Sequence, residues 1–417
     1  MRFACFGWVA EEAGSGPSAH FLVLKELLAR GCEIDLYANE GFLPSPKGLG
    51  GSGFRYLGFA PPRVLRELSG NLEGWIQIVA PPVSRAVWRR VFEPTARTNH
   101  RQRPYDAVLS LGPPPPFTLH DTPTITWVSG PLRSELDAIV RLRHKISEIS
   151  GRAFWCKLAT YYAYRSLFES RVLKTSDLVL CGSQWSRRTL IAEGMEPDRV
   201  HAIPYPVDLD VFRPATSSVN TEGPVLLALG RLDPRKRLDL LLDAFAIVLQ
   251  AVPDARLRVV GAPGHAPRML ALLERFPERH RVVYLPPVSR AQVPTLLREA
   301  AVLVQASENE NFGTAVPEAL ACGVPVVVGS SNGTADYIDE NSGIFESYEP
   351  AQLAYSVTTV LERWRRSPDD VSRTARAAAE KHFRSDVVCD RLLELVVATR
   401  RRRSSQTGRK SAARFSS

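Results

Sequence analysis

Between Ser307 and Gly329 the chain reads SENENFGTAVPEALACGVPVVVG, and no other stretch limits the fold as much. The apolar run Val302–Gln305 before it reads as a strand, and Val326–Val328 within it reads as the next buried strand. A helix beginning near Thr314 lies between them. Pro317 falls in its first turn, where a missing N–H costs little, and Gly323 and Pro325 mark its stop. Strand, helix and strand in so short a span call for parallel strands joined by a crossover.

The same stretch carries chemistry. A helix start near Thr314 offers unpaired backbone N–H groups and the positive end of a dipole, which suits a phosphate. Glu310 and Glu318 are carboxylates, good bidentate acceptors for vicinal hydroxyls. An anion seat beside carboxylates aimed at hydroxyls is what a nucleotide-sugar site requires. Upstream, Leu226–Arg237 reads LLALGRLDPRKR: an apolar strand ends at Gly230, and Arg231 and Lys236 follow. A planar guanidinium and a compact ammonium suit a diphosphate, and ligands sit at the carboxyl ends of strands in open α/β sheets. Arg235 and Arg237 are read as solvated charges of the same loop.

With Gly230-Arg231, Pro234-x-Lys236 and Glu310-x7-Glu318 in this order, the chain resembles the family 4 glycosyltransferases of the GT-B fold. The run Asp177–Pro214 resembles that family's passage from its first domain into the linker; the likeness is strong over about 170–380 and looser over 1–165. The resemblance implies retaining transfer of a hexose from a nucleoside diphosphate sugar to a glycan, glycolipid or natural-product acceptor. It implies catalytic roles for Arg231, Lys236 and Glu310, and a donor site of Gly16, Gly230, Arg231, Lys236, Val288, Glu310, Asn311, Phe312, Gly313, Thr314 and Glu318. Glu310 would meet the sugar hydroxyls and Glu318 the ribose. His20 and Ser129 fall on the acceptor side, Ser129 standing where many members keep a His after a Thr-x-His pattern. No cofactor beyond the co-substrate and no metal is expected; Asp208 and Asp210 follow Pro206 in the linker and read as structural. The run PRKRLDLLLDAF leans towards GDP-mannose, with a UDP-sugar next. Two alternatives stay open: a sugar-nucleotide epimerase or phosphorylase, or a nucleotide-sugar-binding protein without turnover.

At 417 residues the chain exceeds one ordinary core. The fold class expected is α/β, with two Rossmann-like doubly wound domains facing across a cleft. The first domain takes residues 1–205, the second 206–384, and a helix over 385–399 crosses back to the first; Leu353–Arg365 is a second candidate for that crossing. Strands are expected at Arg2–Val9, Glu33–Tyr37, Asp106–Ser110, Thr124–Val128, Leu178–Cys181 and His201–Ile203, then at Val225–Leu229, Leu257–Val260 and Val282–Leu285. The acceptor is expected around Gly14–His20, Pro113–Pro116 and Ser129–Arg133, and the base near Gly261–Gly264 and Pro287–Val288.

No apolar run reaches the ~18–20 residues that cross a bilayer. The six cysteines are scattered without a CxxC pair, so no disulfide framework is expected and a cytoplasmic setting, at the inner face of the membrane, fits. Of the net charge of +9, seven positive charges lie between Arg400 and Ser417, leaving +2 for the rest. That basic tail (400–417) reads as disordered and suits an anionic membrane surface, whereas nucleic-acid binding is not expected because nothing in the body reads bases. Trp75, Trp88, Arg89, Arg90 and Phe92, and the basic-aromatic stretch 141–174, suit a membrane interface or a helix with an aromatic inner face.

Overall fold

The computed structural model describes all residues except 13, 15, 41–45, 61–80, 216–222, 264–266 and 416–417, so Trp75 and Gly264 lie outside the described residues. The first half alternates β1 (Arg2–Gly7), α1 (Gly16–Ala29), β2 (Glu33–Asn39), β3 (Phe54–Phe59), α2 (Pro81–Gln102), β4 (Ala107–Leu111) and β5 (Thr124–Trp127). Three helices follow, α3 (Leu132–Arg141), α4 (Arg143–Ser150) and α5 (Arg152–Leu173), then β6 (Leu178–Cys181), α6 (Gln184–Ala192) and β7 (Val200–Ala202). The second half runs β8 (Val225–Leu229), α7 (Leu238–Ala251), β9 (Arg256–Val260), α8 (Leu270–Glu274), β10 (Val282–Leu285), α9 (Val293–Arg298), β11 (Val302–Gln305), α10 (Ala315–Ala321), β12 (Val326–Gly329) and β13 (Gly343–Phe345). It closes with α11 (Pro350–Arg366), α12 (Pro368–His382) and α13 (Ser385–Phe415).

Two parallel sheets result, in the orders β3-β2-β1-β4-β5-β6-β7 and β10-β9-β8-β11-β12-β13. Helices on both faces bury the central strands: every residue of β4, β5 and β6 is buried, and β6 is apolar throughout, whereas β5 carries Thr124 and Thr126 inward as well. In each sheet the chain order reverses beside the first strand, at β1/β4 and at β8/β11, and the crevice outside the strand ends opens there. Two of the four edge strands, β3 and β13, were not expected. Arg55 and Gly58 interrupt the apolar run of β3, and β13 has three residues, so their pairing partners define them more than their own composition does.

A single core cluster runs from β1 and α1 through Trp127, Tyr205 and Phe312 to α10, α12 and α13. Trp127 stacks on Tyr205 at 5.4 Å between centroids, and Phe312 meets Tyr205 edge-on at 5.2 Å. α13 makes the return to the first half, packing on α1 with Leu392 and Val396 fully buried. The other candidate for that crossing, Leu353–Arg365, lies in α11 and stays on the second sheet against α7.

The tail expected to be disordered is instead the continuation of α13, helical to Phe415. Arg400 pairs with Asp106 at 2.8 Å and Arg403 with Asp177, so first-half carboxylates neutralise its start. In α2, Trp88 and Phe92 are buried against Phe6 and Tyr37 while Arg89 and Arg90 are exposed: an aromatic inner face and a solvated outer one. Among the described residues no helix is long and apolar enough to cross a membrane. Five of the six cysteines are buried and none is paired.

Candidate functional site

The carboxyl ends of β8 and β11, adjacent in the sheet, carry the two loops singled out from sequence. After Gly230 the chain makes one 3-10 turn, Pro234–Lys236, and Arg237 follows with φ +52°. This turn sends consecutive side chains in different directions. Lys236 Nζ donates to Glu310 Oε2. Arg231 remains largely exposed, 3.4 Å from Asp233.

Arg235 and Arg237, expected to be solvated, are not. Arg235 is buried, with Nη1 donating to Asn309 O at 3.2 Å and Nη2 3.4 Å from Glu135 Oε2. Arg237 pairs with Asp239 at 3.2 Å and Glu308 at 3.0 Å. Three carboxylates and two carbonyls offset the desolvation that would otherwise forbid burying these guanidiniums. Glu308, beside Glu310, is buried as well and also accepts from Arg141 at 2.9 Å.

The facing loop bends at Asn309, whose φ is +50°. Glu310 N donates to Ser331 O, and its nearly buried carboxyl accepts from Lys236. Burial alone would raise that carboxyl's pKa; Lys236 and Arg235 outweigh it and hold the group below its ordinary value. Gly313 approaches Gln305 so closely that a Cβ would sit 2.0 Å from Oε1, so any side chain there requires the Gln305 amide to move. Thr314 caps α10 without a side-chain hydrogen bond.

Asn311 does not face this crevice. Its Oδ1 accepts from Ser134 Oγ at 2.9 Å, its Nδ2 reaches Glu135 at 3.4 Å, and its carbonyl accepts from Ser183 and Ser186 at 3.0 and 3.2 Å. Phe312 is likewise buried against the first half, at Gly182 and Tyr205.

Glu318 is buried in the first turn of α10 and accepts from Arg290 at 2.6 Å. Burial raises its pKa against the opposing pull of Arg290, whose guanidinium lies 4.7 Å from the Phe212 ring centroid. Both line a small pocket of about 10 Å³ with Tyr205, Phe312, Thr314 and, from α1, Ser18 and Ala19. Val288 is half-buried at the rim of the core beside this region.

Across the cleft, Gly16, His20 and Ser129 converge. A Cβ on Gly16 would lie 3.7 Å from His20 Cε1 and 3.9 Å from Ser129 Oγ. His20 Nδ1 donates to Trp8 O at 3.0 Å, and Nε2 is buried without a partner. Burial pushes its pKa down to about 4, so the ring is neutral at ordinary pH. His120 is a surface residue paired with Asp121. Asp208 accepts from the N–H groups of Asp210 and Val211, a turn cap.

Sequence reasoning missed Arg290, Arg235, Ser134, Glu135 and Arg141 as members of this neighbourhood. Only the charge density of the Pro234–Arg237 loop hinted at the second of these; Ser134, Glu135 and Arg141 belong to a helix whose docking across the cleft has no local signature.

The family described as "Glycosyl transferases group 1" matches residues 213–378. A D-inositol 3-phosphate glycosyltransferase of Kineococcus radiotolerans is 30% identical over 316 residues, covering 68% of this chain and 68% of that protein. One from Thermomonospora curvata is 31% identical over 285 residues, covering 62% of this chain and 65% of the relative, just under two thirds of its length. Among solved structures, Anabaena HepE in complex with UDP and glucose superposes with a TM-score of 0.63 at 18% identity, covering 95% of this chain and 99% of that one. Sucrose-phosphate synthase from Thermosynechococcus elongatus superposes with a TM-score of 0.67 at 16% identity, covering 95% and 98%. These likenesses agree with the two parallel sheets and the cleft described above: the chain belongs to the group 1 glycosyl transferases and has the GT-B fold.

Proposed function

We propose that the protein is a retaining, family 4-like transferase that moves a hexose from a nucleoside diphosphate sugar to a hydroxyl acceptor bound against the first half. The observation that carries this reading is the meeting of Lys236 and Glu310 at the carboxyl ends of two adjacent strands. Breaking the glycosidic bond to a diphosphate builds charge on the leaving group. Cations placed there stabilise the transition state more than the ground state. Arg231 and Lys236 fill that role, each charge-assisted contact being worth on the order of 1.5–3 kcal/mol. Glu310, held ionised, accepts from sugar hydroxyls; Glu318 accepts from the ribose once Arg290 yields, and Val288 lies where the base would rest. Gly16 leaves room for the donor to approach α1, and His20 and Ser129 border the acceptor.

The acceptor class we favour is a phosphorylated cyclic polyol, because the relatives named above are D-inositol 3-phosphate glycosyltransferases. Uridine donors stand first in the panel, since solved neighbours hold UDP and UDP-glucose; GDP-mannose stands beside them on the strength of the PRKRLDLLLDAF run. Thermal shift with UDP, GDP and their sugars tests the donor: a ligand at 100 times its Kd adds ~2.7 kcal/mol of stability. Incubation with D-inositol 3-phosphate, followed by NMR of the anomeric coupling, tests transfer and retention. Turnover that persists in chelator supports a metal-free mechanism. No shift with any nucleotide would end this reading.

A further inference from the structure

The loop bearing Glu310 is shaped from the opposite half of the molecule. Asn309 and Asn311 flank Glu310, and the side chains of both turn to the first half. Asn309 Nδ2 donates to Ser134 O at 2.8 Å, and its Oδ1 accepts from Arg141 at 2.7 Å. Asn311 takes the Ser134 hydroxyl. Beneath these contacts Arg235 fills the space between the loop and α3. It donates to the Asn309 carbonyl and faces Glu135, which lies near Tyr162 of α5. At Asn309 the backbone is held at positive φ, a conformation Asn adopts more readily than most residues, and the contacts around it fix it in that one bend. These are the carbonyl contacts from Arg235, the side-chain bonds to α3 and the Ser331 hydroxyl on Asn309 N.

We propose that Arg235 and Glu135 are positioning residues: Glu135 of α3 orients Arg235, Arg235 fixes the Asn309 bend, and the bend presents Glu310 to the donor. This rests on the donor reading above. It adds that the donor site is completed by a helix of the first half, so turnover depends on a pair that touches no substrate.

The test uses the full chain with UDP-glucose and GDP-mannose, following nucleotide release, and hydrogen exchange of the Ser307–Thr314 amides without ligand. Glu135→Gln and Arg235→Lys are expected to lower kcat on the order of 10–100-fold, the cost of a small misplacement, while donor KM moves about threefold or less. Amide exchange in 307–314 should quicken about tenfold in both variants, and Glu135→Gln should also melt lower, because the buried Arg235 guanidinium loses a carboxylate partner. Glu135→Asp should restore part of kcat. In the double variant the losses should not multiply, because the two residues act as one unit. Wild-type kcat in Glu135→Gln, unchanged exchange, or fully multiplicative losses would each overturn the proposal. Should the wild-type protein release no nucleotide, the donor reading falls, and the exchange measurement still decides whether Glu135 and Arg235 hold the bend.

Discussion

Lys236 Nζ donates to Glu310 Oε2 across 74 residues of sequence, joining the loop after β8 to the loop after β11. With Arg235, Lys236 holds the buried Glu310 carboxyl ionised against the cost of desolvation. Lys236→Ala and Arg231→Ala are expected to lower turnover by roughly 10²–10³, by analogy with deletion of a single oxyanion donor. Arg231 is exposed, so its variant should melt like wild type. Initial-rate kinetics beside circular-dichroism melts check both points, and near-native rates in either variant would count against the assignment.

Arg290 and Glu318 form a second pair, at 2.6 Å, in the cleft beside Phe312. Arg290→Ala leaves a buried carboxyl without its cation and should cost about 3 kcal/mol. Glu318 already has a raised pKa, and losing Arg290 raises it further. A raised acid pKa means the folded state holds the proton more tightly than the unfolded chain. The penalty is therefore smallest below the unfolded value and grows as pH rises through the folded one. Urea melts at pH 5 and pH 8 should show the larger loss at pH 8.

Gly130 lies under Asn311 with φ +146°, and a Cβ there would come 2.1 Å from the Asn311 side-chain carbon. Gly130→Ala combines a strained backbone with a collision across the cleft. A loss of roughly 1–3 kcal/mol is expected, together with weaker nucleotide-induced thermal shift. A variant with wild-type melting and wild-type nucleotide response would show that the two halves need not approach this closely.

Glu169 of α5 has Oε2 shielded from solvent without a partner, and its pKa is pushed up to about 8. Burial is the main cause, opposed by Arg165 and reinforced by Glu193 and Glu135. With the unfolded value near 4.5, the folded state keeps the proton over the window between. Stability contributed by this group is thus fully present below pH 4.5 and lost as pH rises to about 8. Glu169→Gln should flatten that fall and gain stability at pH 8.5, with about 5 kcal/mol as the upper bound for the whole shift at about 1.4 kcal/mol per pKa unit. Equal pH dependence in variant and wild type would refute it.

Central strands were legible because parallel strands covered on both faces are mostly apolar, and Val225–Leu229, Val302–Gln305 and Val326–Val328 announce themselves that way. The Gly230–Lys236 and Glu310–Glu318 spacings were legible for a related reason: a strand end followed by a helix start allows few arrangements of charge. What sequence left open was direction. Among Arg231, Arg235, Lys236 and Arg237, the one that faces inward is set by a single 3-10 turn and a residue at positive φ, which composition does not reveal. Nor could Ser134, Glu135 and Arg141 be tied to a loop some 170 residues away. Local propensity acts over a few residues, whereas these contacts exist only after two separately folded sheets have packed against each other.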